Sequence, residues 1–247
     1  MGRVNKKLDE AHDAVAKSHN FKINETLEAS FRMMTYLVQL EYDTNPESKQ
    51  VNSAADYIRA TVKHIRKGKS KYKERDAKML EDILENYGVV VGQDNNGKDI
   101  IEIDKNALFN DFNSAEKNAI ATIREVNDGM RDMAMYTAAV IRGERIEALN
   151  NYVHLPVMHD YNPDERATGT QSADEYNNSI RPSTKAQSLI ARTGKVSPIN
   201  FDAFASAQRG AKFTLLDYHM TTPIRTARKT INEVENRYGD EFTKQQR

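Results

Sequence analysis

Apolar positions in this chain recur mostly in steps of three and four, the period at which side chains return to one face of an α-helix. Val4, Leu8, Ala11 and Val15 draw a thin apolar stripe on a charged first helix, thin enough that the helix needs a packing partner. A denser stripe follows in Ile23, Leu27, Phe31, Met34, Leu37, Val38 and Leu40 and predicts a core helix. It stops at Asn45-Pro46, because the residue before a proline is pushed out of the helical region. Ser53 stands where it can cap a third helix through its hydroxyl, with Ala55, Ile58, Val62 and Ile65 on the inner face. Past Gly68, the residues Tyr72, Met79, Leu80, Ile83, Leu84 and Tyr87 predict a fourth helix closed by Gly88. These two helices form a hairpin with a basic corner.

The period then changes. Val89-Val90-Val91 and Ile100-Ile101-Glu102-Ile103 flank Asn96-Gly97, whose residues tolerate the positive φ of a tight turn, so one β-hairpin is predicted over about 89–103. Two strands alone are marginal in water, and this pair must lie on the helices or on a partner's sheet. Helical spacing returns from a start signal at Ser114 and runs through Ala119, Ile123, Val126, Met130, Met133, Ala134, Ala138 and Ile141 to Leu149, with Gly129 and Gly143 as candidate bends. That predicts the longest helix, with Met130, Met133 and Met135 read as flexible core filler.

From Asn151 to about residue 200 no period survives, and this stretch holds four of the six prolines: Pro156, Pro163, Pro182 and Pro198. Structureless segments longer than about 12–15 residues are uncommon inside a compact domain and are usually functional or disordered, so this one is either unwound as a linker or, as expected here, a strap laid over the helices. Phe204, Ala205, Ala211, Leu215 and Tyr218 then mark a further helix. Thr222-Pro223 is read as the start of a last one, since proline suits the first helical position; Ile224, Ala227, Ile231, Val234 and Tyr238 line it and Gly239 ends it. The fold class expected is mainly α, a multi-helix bundle with one β-hairpin and a long irregular segment over about 151–200. Its three parts are a helical domain over 1–150 with the hairpin inserted, the strap over 151–200, and a C-terminal helical hairpin over 201–247 packed on the first part.

Composition narrows the chemistry. The absence of cysteine excludes disulfides, thiolate metal sites and thiol nucleophiles. No run approaches the 18 or so apolar residues of a membrane span, and the first residues lack the apolar core of a signal peptide, so neither a span nor signal-driven secretion is expected. Lys6 stands where a myristoylation signal wants Ser or Thr. Net charge is zero but segregated: residues 59–75 carry eight basic side chains against Glu74, whereas residues 76–104 are acid-rich. Such segregation favours local anionic contacts or charge-complementary self-packing.

Three groups of candidate residues emerge. Arg59, Lys63, Arg66, Lys67, Lys69, Lys71 and Lys73, with Tyr72 able to stack on a base, could neutralise a nucleic-acid backbone. Tyr152, Pro156, Arg181, Lys185 and Arg192 belong to the strap and are candidates for contact with another subunit. His154, His159 and Asp160 are the nearest approach to a metal site, although their spacing does not force convergence as two histidines one helical turn apart would. Phosphate-loop, dinucleotide and serine-hydrolase signatures are missing. No cofactor and no enzymatic activity are expected.

The segment from Leu149 to Glu235 resembles part of very large polyvalent bacteriophage and mobile-element proteins. The likeness rests on Asn151-Tyr152-Val153-His154-Leu155-Pro156 closing a long helix, then Ser179-Ile180-Arg181-Pro182-Ser183-Thr184-Lys185 and Arg192. A helix entry at Pro198-Ile199-Asn200-Phe201-Asp202 and the run Gln208-Arg209-Gly210-Ala211-Lys212-Phe213 complete it. That family includes inner-virion proteins ejected with the genome and segments flanking virion RNA polymerases. The resemblance implies a non-enzymatic virion or assembly protein that acts through other protein subunits, as a homo-oligomer or within a larger phage assembly, with possible DNA contact. It places the chain in a virion or the host cytoplasm. A nucleic-acid-binding module centred on 59–75, or a fragment of a larger phage enzyme such as a virion RNA polymerase, are the alternatives. The family's chains usually exceed a thousand residues against 247 here, and none of the polymerase's catalytic aspartate motifs carries over to a position in this sequence.

Overall fold

The densest apolar stripe in the sequence becomes the centre of the fold. In the computed structural model, which describes residues 2–47, 51–68, 70, 72–93, 97, 99–143, 149–158 and 196–239, that stripe forms helix α2 (Ile23–Thr44). Phe31, Met33, Met34, Leu37 and Val38 are buried on it, and so are the polar Thr35, Gln39 and Glu41. A helix buried nearly all round has neighbours on every side. Around α2 stand α1 (Gly2–Ser18), α3 (Ala54–Arg66), α4 (Glu74–Tyr87), the short α5 (Lys105–Asn110), α6 (Ser114–Tyr136) and α7 (Ala203–Tyr238). The fold is mainly α, as expected. Ile23, which opens the predicted stripe, is instead 80% exposed, because the burial of α2 begins only at Thr26.

Helix ends follow their capping chemistry. Ser53 accepts from the Asp56 amide at the start of α3. Asn113, one residue before the expected start signal, caps α6, and Glu116 reaches back to the Asn113 amide to complete a capping box. Asp104 caps α5 through the amides of Asn106 and Ala107. Between α1 and α2 the chain reverses without glycine: Asn20 and Phe21 both take left-handed backbone angles, φ 53° and 57°. The predicted long helix ends early. After Tyr136 it widens into a π-helical turn (Thr137–Arg142) and stops at Gly143, which supplies a φ of 70°. Leu149 lies beyond it, in a small separate cluster with Val51 and Tyr152.

The hairpin pairs β1 (Gly88–Gln93) with β2 (Asp99–Ile103) in antiparallel register, with a bulge between Val90 and Gly92. Buried Gln39 fixes its base, its side-chain oxygen accepting from the amides of Ile103 and Ala54 at 3.3 Å each. Gly88 does close α4, but in an extended conformation: its amide donates to the Leu84 carbonyl, and a Cβ there would collide with that same oxygen.

Both described ends of the strap are tied into the helical body. At its start, Asn45 exchanges hydrogen bonds with the Asn150 backbone, and buried Glu41 accepts from the Val153 amide at 2.8 Å. At its finish, Ile199 exchanges hydrogen bonds with the Thr61 hydroxyl, and Phe201 packs fully buried against Phe31. The two ends also meet each other. Val157 and Ile199 form an antiparallel bridge, with Met158 donating to Pro198 at 2.9 Å and Asn200 to Pro156 at 3.0 Å.

The expected C-terminal helical hairpin is a single helix. Pro223 lies inside α7, where it removes one backbone donor without ending the helix. No glycine or asparagine stands between Leu216 and Pro223 to turn the chain, and the Thr221 hydroxyl donates to the Asp217 carbonyl one turn back. The first half of α7 is capped by Asp202 and buries Ala203, Phe204, Ala207 and Ala211 in the common core. The part beyond Thr221 is largely exposed.

Candidate interaction surfaces

At the basic corner, charge is divided between internal pairs and open surface. Arg66 is committed to two carboxylates, donating to Glu74 at 3.0 Å and to Glu81 at 2.7 Å, and these bonds hold its pKa above the ordinary arginine value. Arg59 approaches Asp56 at 3.9 Å on its own helix. Lys63 and Lys67 are exposed one helical turn apart and have no ion-pair partner among the described residues. Together these side chains rim a shallow groove of about 420 Å³ between α3 and α4, floored by Ile58, Val62 and Leu84.

Tyr72, expected to stack on a base, is instead part of the core. Its ring meets Phe31 edge-on with centroids 5.7 Å apart, and its hydroxyl is hydrogen-bonded to the Asn200 side chain. Burial, reinforced by nearby Asp202 and Asp76, raises its pKa well above the usual tyrosine value. The sequence places Tyr72 in a run of cations, but Tyr72 belongs to the seam that receives the end of the strap. Lys73 is exposed at the start of α4, and Lys69 and Lys71 lie outside the described residues.

Tyr152 and Pro156, expected to face another subunit, are buried within their own fold. Tyr152 packs with Val51, Leu149 and Tyr42, whereas Val157 on the same stretch is 44% exposed. Arg181, Lys185 and Arg192 lie outside the described residues, as do His159 and Asp160. His154 packs against α7 so closely that a Cβ on Gly210 would come within 2.7 Å of its ring. Among the described residues no group of three histidines or carboxylates stands close enough to hold a metal ion.

Sequence reasoning missed a buried polar cluster at the start of α6. The Glu116 carboxylate, 1% exposed, accepts from Arg32 at 2.8 Å and from the Asn113 amide at 2.8 Å, and pairs with His19 Nε2 at 3.1 Å. It joins α1, α2 and α6 in one knot. Its sequence signal was present, since asparagine followed three residues later by glutamate is a capping box, but nothing local reports the two cations from elsewhere.

Exposed apolar side chains occur at the α1–α2 turn, where Phe21 and Ile23 are 68% and 80% exposed, at Met133, Tyr136 and Val157, and on two projecting elements. On the hairpin, Val89, Val90, Val91 and Ile100 are between 40% and 61% exposed. Tyr87 accepts from the Asp104 amide, so by strand alternation Val90 turns its amide and carbonyl away from β2 toward an edge with no other strand on it among the described residues. On α7, Met220 and Ile231 are 47% and 48% exposed. No helix among the described residues is long and apolar enough to cross a membrane, so these surfaces are not parts of a helical span.

Fold and surfaces define a class: a mainly α-helical protein with an appended two-stranded hairpin and a helix that outruns its core. No protein-family model matches the chain, nor does any curated protein or solved structure.

Proposed function

We propose that this chain is a non-enzymatic assembly protein that works by binding further copies of itself, in keeping with the bacteriophage virion role its resemblance implies. The observation that carries this reading is the placement of exposed apolar side chains on elements that leave the body, the open-edged hairpin and the distal half of α7. A two-stranded sheet is marginal by itself, and a solvent-bathed helix gains little stability without a packed face. Both gain from partners. Zero net charge removes the long-range repulsion that would oppose gathering many copies.

The nucleic-acid reading retains Lys63 and Lys67 but loses the stacking surface of Tyr72 and the free charge of Arg66. The test is the mass of the purified protein by light scattering over a concentration and salt series. A discrete oligomer is expected. A monomer at every concentration refutes the self-assembly reading, and DNA binding that falls steeply with salt would put the basic corner in its place.

A further inference from the structure

We infer that the hairpin of one copy docks head-to-tail on the basic groove between α3 and α4 of the next, which deepens and rests on the self-assembly reading. The two surfaces are present in one chain but do not meet there. No hairpin residue lines the groove, and Val90 and Val91 stay 61% and 52% exposed. A second copy supplies what each surface lacks.

The groove offers an apolar floor under uncompensated positive charge. Val62 and Leu84 line it together with the aliphatic stems of Lys63 and Lys67. Arg66 is spent on Glu74 and Glu81, and Arg59 stands near Asp56, but Lys63 and Lys67 make no ion pair among the described residues. The hairpin has the opposite character. Val89, Val90, Val91 and Ile100 present exposed apolar surface, and over residues 88–103 the carboxylates Asp94, Asp99 and Glu102 stand against one cation, Lys98. Within the described residues, Asp99 and Glu102 meet neutral donors: Asp99 accepts from the Gln93 side-chain amide at 3.0 Å, and half-buried Glu102 from the Tyr42 hydroxyl. Neither is paired with a cation there. A nucleic-acid backbone would neutralise the two lysines but leave Val62 and Leu84 bare, whereas a sheet face laid on helices covers both. Because the contact joins two different surfaces, each copy gives one hairpin and receives one, and the discrete oligomer expected above is then a closed ring.

Sedimentation of the full chain measures the association constant, with circular dichroism to confirm unchanged helix content. Lys63→Glu with Lys67→Glu reverses the free charge of the groove on an exposed helix face. Val90→Thr with Val91→Thr keeps the shape and strand preference of the hairpin and adds hydroxyls to the contact. Each double variant alone is expected to weaken association about ten-fold or more. Their equimolar mixture is expected to form one-to-one pairs within about two-fold of the parent's affinity, because one variant keeps an intact groove and the other an intact hairpin. Either double variant assembling like the parent, or a mixture no tighter than its parts, overturns the head-to-tail contact. A groove variant that keeps the parent's association and loses binding of duplex DNA gives the groove to nucleic acid instead. An oligomer indifferent to both variants sinks this inference and leaves the self-assembly reading standing; a monomer throughout sinks both.

Discussion

Replacing Glu116 by Gln tests whether the polar knot at the start of α6 holds three helices together. The change keeps the shape and removes the charge. Arg32 would lose its carboxylate at 2.8 Å, and the new amide would turn a donor toward either Arg32 or the Asn113 amide, both donors themselves. Removing one partner of a buried ion pair costs about 3–5 kcal/mol. The Arg32 and His19 side chains are 17% and 19% exposed, so water can reach them in part and the lower end applies, about 3 kcal/mol. For a chain of this size that is a fall of roughly 6–12 °C in midpoint, read by thermal unfolding with urea unfolding as a second measure. Arg32→Met added to Glu116→Gln should recover much of the loss, because it removes the guanidinium left without a counter-charge while the amide oxygen still accepts from Asn113. A loss below about 1 kcal/mol for Glu116→Gln would show that the helices are held by apolar packing alone.

Further outcomes follow from single features. Tyr72 keeps its proton in the folded state to a higher pH than in the unfolded chain, where it titrates near 10.0, so stability is whole below pH 10 and falls as pH rises past it. Tyr72→Phe should therefore lower the midpoint at pH 7, through the lost bond to Asn200, while flattening the decline between pH 9 and 11; an unchanged alkaline slope would refute the assignment. Tyr42 and Tyr87 shift in the same direction, so some slope will remain. Pro223→Ala should raise helix content and stability by about 1–3 kcal/mol if α7 is continuous, whereas loss of stability would mean that the proline begins a separate helix. Gly88→Ala should cost about 2 kcal/mol or more, since the carbonyl in its way is backbone and cannot turn aside, and an unfolding midpoint equal to the parent's would contradict that crowding.

Much of this fold is legible in the order of residues because its causes are local. Helical spacing finds α1 to α4, Asn45-Pro46 ends α2, Ser53 caps α3, and two β-branched runs give the hairpin. The errors fall where distant groups decide. Pro223 reads as a boundary, yet a boundary also needs residues that turn the chain, and none precede it. The α1–α2 reversal gives no glycine signal because Asn20 and Phe21 take the left-handed angles themselves. Tyr72, Tyr152 and Pro156 look available in a list of charged or irregular neighbours, and only the tertiary contacts with Phe31, Asn200 and Val51 show that they are spent. For the surfaces, local sequence shows which residues are cationic, but not that Glu74 and Glu81 have already claimed Arg66.

The bridge between Val157 and Ile199 closes the described body where the chain leaves it after Met158 and returns to it at Val196. Because Met158 and Pro198 are already hydrogen-bonded, the helical body closes on itself at the base of whatever runs between them. Doubling the length of a flexible segment closed at two joined points costs only about 0.6 kcal/mol of closure entropy. Closure at this bridge therefore depends only weakly on the length of chain between its two sides, and its hydrogen bonds set the spacing at which the chain leaves and re-enters the body.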